Sequence, residues 1–263
     1  MGKGNNMKII GIGDLVTDYY FVNGEFKGVC GGMTSFNIIS HLANEFETYA
    51  YGICGNDYDG SVATKSLEEL GVNTIYVSRK DILTRRFYIS IQNEDVNEMK
   101  SKKSCPICAN RAWYETTQLS EEIPRHLVNS ENVLILDTIN KVNLKIVDKF
   151  NKVGAKVLID IGQVGNLKYL TLSELKEKLS NKFNIVQLNE RVAKFIINKF
   201  KLNSYGELQQ IFNSELITVT HGKKVQHLYT MIKKFSLKLL IYLMNMMQAG
   251  REIRFIPKLL EHI

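Results

Sequence analysis

Short β-branched runs alternate with amphipathic stretches of helical period along most of this 263-residue chain. No other feature restricts the fold as strongly. Asn132-Val-Leu-Ile-Leu-Asp137, Lys156-Val-Leu-Ile-Asp160, Phe183-Asn-Ile-Val-Gln-Leu188 and Glu215-Leu-Ile-Thr-Val-Thr220 are apolar enough to be buried on both faces. Helices are predicted near 141–152 and 172–181, with a further helical stretch before the last of these strands. Strands that read as continuous apolar runs, each followed by a helix, form a mostly parallel, doubly wound sheet covered on both sides. The expected class is therefore α/β, with three layers. The first half is less regular. Lys8 to Gly13 is a buried strand, Ser35 to Glu45 a helix, Thr48 to Cys54 a strand, and Gly60 to Leu70 a helix closed by Gly71. Tyr19 to Val29 alternates around Asn23-Gly24, a two-residue hairpin signal. Residues 74–92 read as strands again, and 93–111 as a polar stretch.

Composition excludes several classes. With 44% hydrophobic residues, 23% charged residues and only 3 Pro, the chain is neither disordered nor collagenous. Lys233, Lys234 and Lys238 interrupt the most apolar region, so no run approaches the roughly 18 apolar residues of a membrane span. The first residues have no apolar segment of the secretory kind, which places the expected location in the cytoplasm. Cys30, Cys54, Cys105 and Cys108 are then expected as thiols and not as disulfides. The net charge of +7 would suit nucleic acid, but residues 225–263 carry six of the 34 Lys and Arg and only two of the 27 Asp and Glu. The basicity is thus concentrated in a tail, and neither nucleic acid nor a membrane is an expected partner.

In open α/β sheets ligands sit at the carboxyl ends of strands, which here are Asp137, Asp160, Asn189 and Thr220-His-Gly222. Gly11-x-Gly13 opens like a dinucleotide-binding loop, but the third glycine of that pattern would fall at Val16, so a tight turn is the better account. A more specific ordered set follows: Gly13-Asp14-x-x-x-Asp18, Gly31-Gly32 with Asn37 at the start of a helix, Gly55-Asn-Asp57-Tyr-Asp-Gly60, and Leu70-Gly71-Val72. In these residues the sequence resembles the ribokinase-like (PfkB) carbohydrate kinases over about residues 7–224.

The resemblance implies ATP-dependent phosphorylation of a hydroxyl on a sugar or sugar derivative, with ATP and Mg²⁺ as cofactors. It implies that Asp18 and Asn37 bond sugar hydroxyls and that Gly31 and Gly32 let the backbone approach the sugar. Asn37 lies five residues after Gly32 where the family more often has four. Either Met33 stands in place of the second glycine or one residue is inserted. Asp57 reads as a loop-organising residue. Asn189-Glu190 resembles the start of the family's N-x-x-E motif for Mg²⁺ and phosphates, although Val192 stands where its Glu is expected. Thr220-His-Gly222 resembles the T-x-G turn beside the nucleotide. Segments 15–29 and 74–118 correspond to a small β lid, through which a homodimer is possible. Arg85 and Arg86 on that lid read first as a solvated face. Cys105 and Cys108 supply half of a four-ligand zinc site, and read first as an empty pair in a lid loop.

The family draws its anion hole and its base from a D-x-x-G-A-G-D segment opening a helix, and residues 225–263 contain no Asp. A lost nucleotide near codon 225 accounts for this. In the alternative frame Met246-Met247 becomes Asp and Met247-Gln248 becomes Ala. Permitted codons through Phe255 then complete D-A-S-G-A-G-D-S-F. The expected organisation is a ribokinase-like domain over 1–224 and an aberrant, out-of-frame tail over 225–263, with the chain itself inactive or nearly so. The alternative is a catalytically dead, sugar-binding or regulatory paralogue.

Overall fold

The computed structural model describes residues 7–92, 95–102, 119–221 and 224–230. They divide into two compact units, residues 10–120 and residues 7–9 with 121–230.

The second unit carries the regular half of the sequence. Strands β8 (Val133–Leu136), β9 (Lys156–Ile161), β10 (Ile185–Asn189) and β11 (Leu216–His221) pair in parallel, and β12 (Lys224–Thr230) returns antiparallel beside β11. Burial explains their composition, since Leu134, Ile135, Leu136, Ile159, Val186, Leu188, Ile217 and Val219 are fully buried. Helices α3 (Lys141–Lys152), α4 (Leu172–Leu179), α5 (Glu190–Phe200) and α6 (Gly206–Phe212) accompany these strands. Asn140 caps α3 by accepting from the Asn143 amide at 2.8 Å, and the buried stripe Asn143, Ile146, Val147 and Phe150 has helical spacing. Thr171 and Glu174 form a reciprocal capping box on α4. The expected boundary at 224/225 falls inside the β11–β12 hairpin, so backbone pairing continues for six residues past it.

The first unit holds strands β1 (Lys8–Asp14), β4 (Glu47–Gly55) and β5 (Asn73–Lys80), with β1 beginning in the other unit. Helices α1 (Thr34–Leu42) and α2 (Tyr58–Glu69) belong to this unit. The strand order of the large sheet is β12-β11-β10-β9-β8-β1-β4-β5, with seven parallel strands flanked by helices. A second sheet has the order β3-β2-β6-β7, built from β2 (Val16–Val22), β3 (Glu25–Gly32), β6 (Arg86–Gln92) and β7 (Asp95–Lys102). Asn23 and Gly24, both at positive φ, make the β2–β3 turn.

One expectation is corrected here. Residues 74–80 do not belong to the small sheet: β5 follows β4 and α2 as a crossover and pairs in parallel with β4. The polar stretch 93–111 contains β7, which pairs antiparallel with β6 and needs no apolar pattern to be an edge strand. The Cys105–Cys108 pair lies outside the described residues, as do Gly222 and residues 231–263 of the tail. Among the described residues no helix is long and apolar enough to cross a membrane.

Candidate functional site

Asp18 is central to the first unit's candidate site. It sits in β2 directly opposite Cys30 of β3 and is 6% exposed. Burial raises its carboxyl from the ordinary 3.8 to about 7, against the opposing pull of a hydrogen bond with the Tyr20 hydroxyl and of the Arg85 cation. The same environment acts on its neighbours. Burial, then the Asp18 charge, pushes the Cys30 thiol up to about 12, and burial raises Tyr20 as well. A carboxyl held near neutrality can accept from a hydroxyl when ionised and donate to one when protonated, so it suits a polyhydroxylated ligand.

The glycines serve the protein before any ligand. A side chain at Gly32 would overlap the Asp18 carboxylate, which lies across the position that a Cβ would take. A side chain at Gly31 would overlap the backbone of Ala63 in α2. The expectation that the pair leaves room for substrate is therefore corrected: the space is filled by a carboxylate and by a helix. Met33 has a backbone conformation that bears on the glycine–asparagine spacing. It has φ 92° and ψ 146°, a conformation that glycine favours, and it precedes α1 as its N-cap without a side-chain cap. Asn37 falls four after Met33, which is compatible with Met33 standing at the second glycine position. Asn37 donates its amide to the Met33 carbonyl at 2.9 Å, while its Oδ1 is shielded and has no partner among the described residues.

Around this cluster the loops are cross-braced. Asp57 caps α2 through the Gly60 amide at 2.8 Å and accepts from Thr84 N at 2.8 Å and Thr84 Oγ1 at 2.6 Å. This is the loop-organising role expected of it. The arginines are not a solvated face. Arg86 is paired with the buried Asp59, and Arg85 lies 4.4 Å from the Phe87 ring centre. One face of the small sheet is apolar, with Val16, Phe87, Ile89 and Ile91 buried and Tyr20, Val22 and Met33 packed on them.

The second unit holds the residues expected at the nucleotide. Asn189 caps α5, accepting from the Val192 amide at 2.9 Å and donating to the Gly162 carbonyl at 2.6 Å. Glu190 pairs with Lys194 one turn along the helix. Val192, at the position of the expected Glu, is fully buried. Thr220 is buried, its hydroxyl 3.5 Å from the Leu188 carbonyl. These polar groups are thus engaged by the protein itself, and they do not fit a Mg²⁺ site. Among the described residues no group of three or more His, Cys, Asp or Glu is placed to hold a metal.

A seven-strand parallel sheet flanked by helices, with a second small sheet, has counterparts among solved structures. A fructokinase from Xylella fastidiosa with bound ATP superposes with a TM-score of 0.67 at 19% identity, over 85% of this chain and 71% of that one. The fold is ribokinase-like. An adenosine kinase from Sinorhizobium meliloti (TM-score 0.65, 12% identity, 87% and 79% covered) shares this ribokinase-like fold. So does an aminoimidazole riboside kinase from Salmonella enterica (0.62, 14%, 87% and 75%). No protein-family model matches the sequence, and no curated protein does.

The sequence pointed to Asp18 and Asn37 but missed Asp59, Tyr20 and Cys30. Strand alternation was the available signal: Asp18 and Tyr20 share one face of β2, and Thr17 and Tyr19 the other.

Proposed function

We propose that this chain binds a sugar or sugar derivative through Asp18 and Asn37, on a fold whose ancestral reaction is ATP-dependent phosphorylation of a sugar hydroxyl. The observation that carries this reading is the Asp18 carboxyl, buried beside Gly32 and held near neutral pKa. Such a group is costly to keep, and accepting a hydroxyl is a role that repays it. The Asn37 Oδ1 adds a second acceptor that the fold leaves unused. Fructokinase and riboside-kinase neighbours described with ATP or an ATP analogue support ATP as the phosphoryl donor of that reaction.

Transfer needs a base for the hydroxyl proton and fixed positive potential around the phosphoryl group. Residues 225–263 offer no Asp, so the chain as given binds without turnover. Restoring one nucleotide near codon 225 gives Asp and Ala from Met246, Met247 and Gln248, and the rest of D-x-x-G-A-G-D where the codons permit. Calorimetry with D-fructose, D-ribose and adenosine, together with a coupled ADP-release assay on both forms, tests the reading. We expect sugar binding by the given chain and turnover only by the restored one. Absence of binding by either form to all three compounds refutes it.

The engagement of Asn189 and Glu190 by protein partners favours a second reading, a sugar-binding or regulatory paralogue without catalysis. Confirmation of the present frame in the source genome, with sugar binding retained, would select it. A homodimer through the small sheet would cover the ring cluster of Tyr19, Phe21, Phe26 and Tyr88, in which Phe26 is 56% exposed. Light scattering of the purified chain decides that point.

A further inference from the structure

Asp59 is 1% exposed in the first turn of α2, and no role described so far uses it. Its partners are the two chain neighbours of Asp18. Thr17 Oγ1 donates to the Asp59 carbonyl at 2.8 Å, and the Tyr19 hydroxyl donates to the Asp59 carboxylate. Arg86, opposite Thr17 on the adjacent strand β6, donates to the same carboxylate through its guanidinium. Side chains alternate along a strand, so Thr17 and Tyr19 face α2 while Asp18 projects to the other side. Rotating β2 enough to redirect Asp18 would break both flanking bonds at once. It would also strip the buried Asp59 carboxylate of its Tyr19 donor and leave the Asp59 carbonyl without Thr17, which is costly.

We propose that Asp59 is the positioning residue for Asp18: by pinning the residues before and after it to α2, Asp59 sets the direction in which the Asp18 carboxyl meets its ligand. The functional consequence rests on the reading of Asp18 as a sugar ligand, whereas the pinning stands on the bonds themselves. Among the described residues the titratable groups that act on Asp18 are Tyr20 from its own strand, Cys30 from β3 and Arg85, the residue before β6. None of them is part of the Asp59 cluster.

The test removes the flanking bonds without altering charge, using Thr17→Val, Tyr19→Phe and the double variant. Asp18 is followed by carboxyl-carbon NMR titration of protein labelled at Asp, and D-fructose affinity by calorimetry. The double variant is expected to lower the Asp18 midpoint by about 1 pH unit or more, because a released side chain regains water. Tyr19→Phe alone shifts it less, in the same direction, and serves if the double variant does not fold. D-fructose affinity falls about tenfold in the double variant. A melting temperature that drops while the Asp18 midpoint stays where it was makes Asp59 a structural anchor only and overturns the proposal. If the unaltered chain binds no sugar but the midpoint still moves, the sugar reading fails and the positioning role stands.

Discussion

Replacing Asp18 by Asn gives a stability effect whose sign and size follow from burial. In the unfolded chain this carboxyl titrates near its ordinary 3.8, and in the folded chain near 7. Between those values the native state holds a proton that the unfolded state has released, so stability falls as pH rises, by about 1.4 kcal/mol per unit. Below about pH 4 the full contribution is present, and above about pH 7 the loss is complete. Integrated from pH 5 to pH 8 the loss is about 2–3 kcal/mol. An amide carries no charge to desolvate, so Asp18→Asn escapes it. Urea denaturation of both proteins at pH 5 and pH 8 measures the difference directly. The variant should gain about 2–3 kcal/mol on the parent chain between the two conditions, whatever its stability at pH 5. A variant-minus-parent difference equal at both pH values would mean that Asp18 titrates as an ordinary carboxylate, and the buried-carboxyl reasoning would fall with it.

Three further substitutions probe the same unit. Gly32→Ala puts a methyl group where the Asp18 carboxylate lies, so it should weaken sugar binding at least tenfold and lower stability by about 1–3 kcal/mol, read by calorimetry and urea melts. Asp57→Ala removes acceptors for Gly60 N, Thr84 N and Thr84 Oγ1, and a loss of about 2 kcal/mol is expected; a change under 0.5 kcal/mol would contradict its bracing role. Arg86→Met leaves the buried Asp59 carboxylate without its cation and should cost about 3 kcal/mol, partly recovered in an Arg86→Met/Asp59→Asn double variant.

The parallel strands β8 to β11 were legible because a strand buried on both faces must be apolar throughout, a constraint written in consecutive residues. Helix starts were legible for a similar reason, since Asn140 and Thr171 meet their partners three residues on. Period and capping are local, and the sequence by itself determined the α/β class from them. It also determined the absence of Asp beyond residue 224. The partners of single polar groups were decided only in three dimensions. Nothing local distinguishes Asp57, which braces Thr84, from Asp59, which binds Tyr19 and Arg86 from two other strands. Gly31 and Gly32 look alike in sequence, yet one faces the Ala63 backbone and the other the Asp18 carboxylate. The positive φ at Met33 is likewise a tertiary fact that its side chain does not announce. Residues 74–80 had strand character on either assignment, and their pairing with β4 depended on which sheet the crossover through α2 reached. Periodicity records what each residue does with its near neighbours, whereas the charge on Asp18 and the pairing of Asp59 answer also to Arg85 and Arg86, far along the chain.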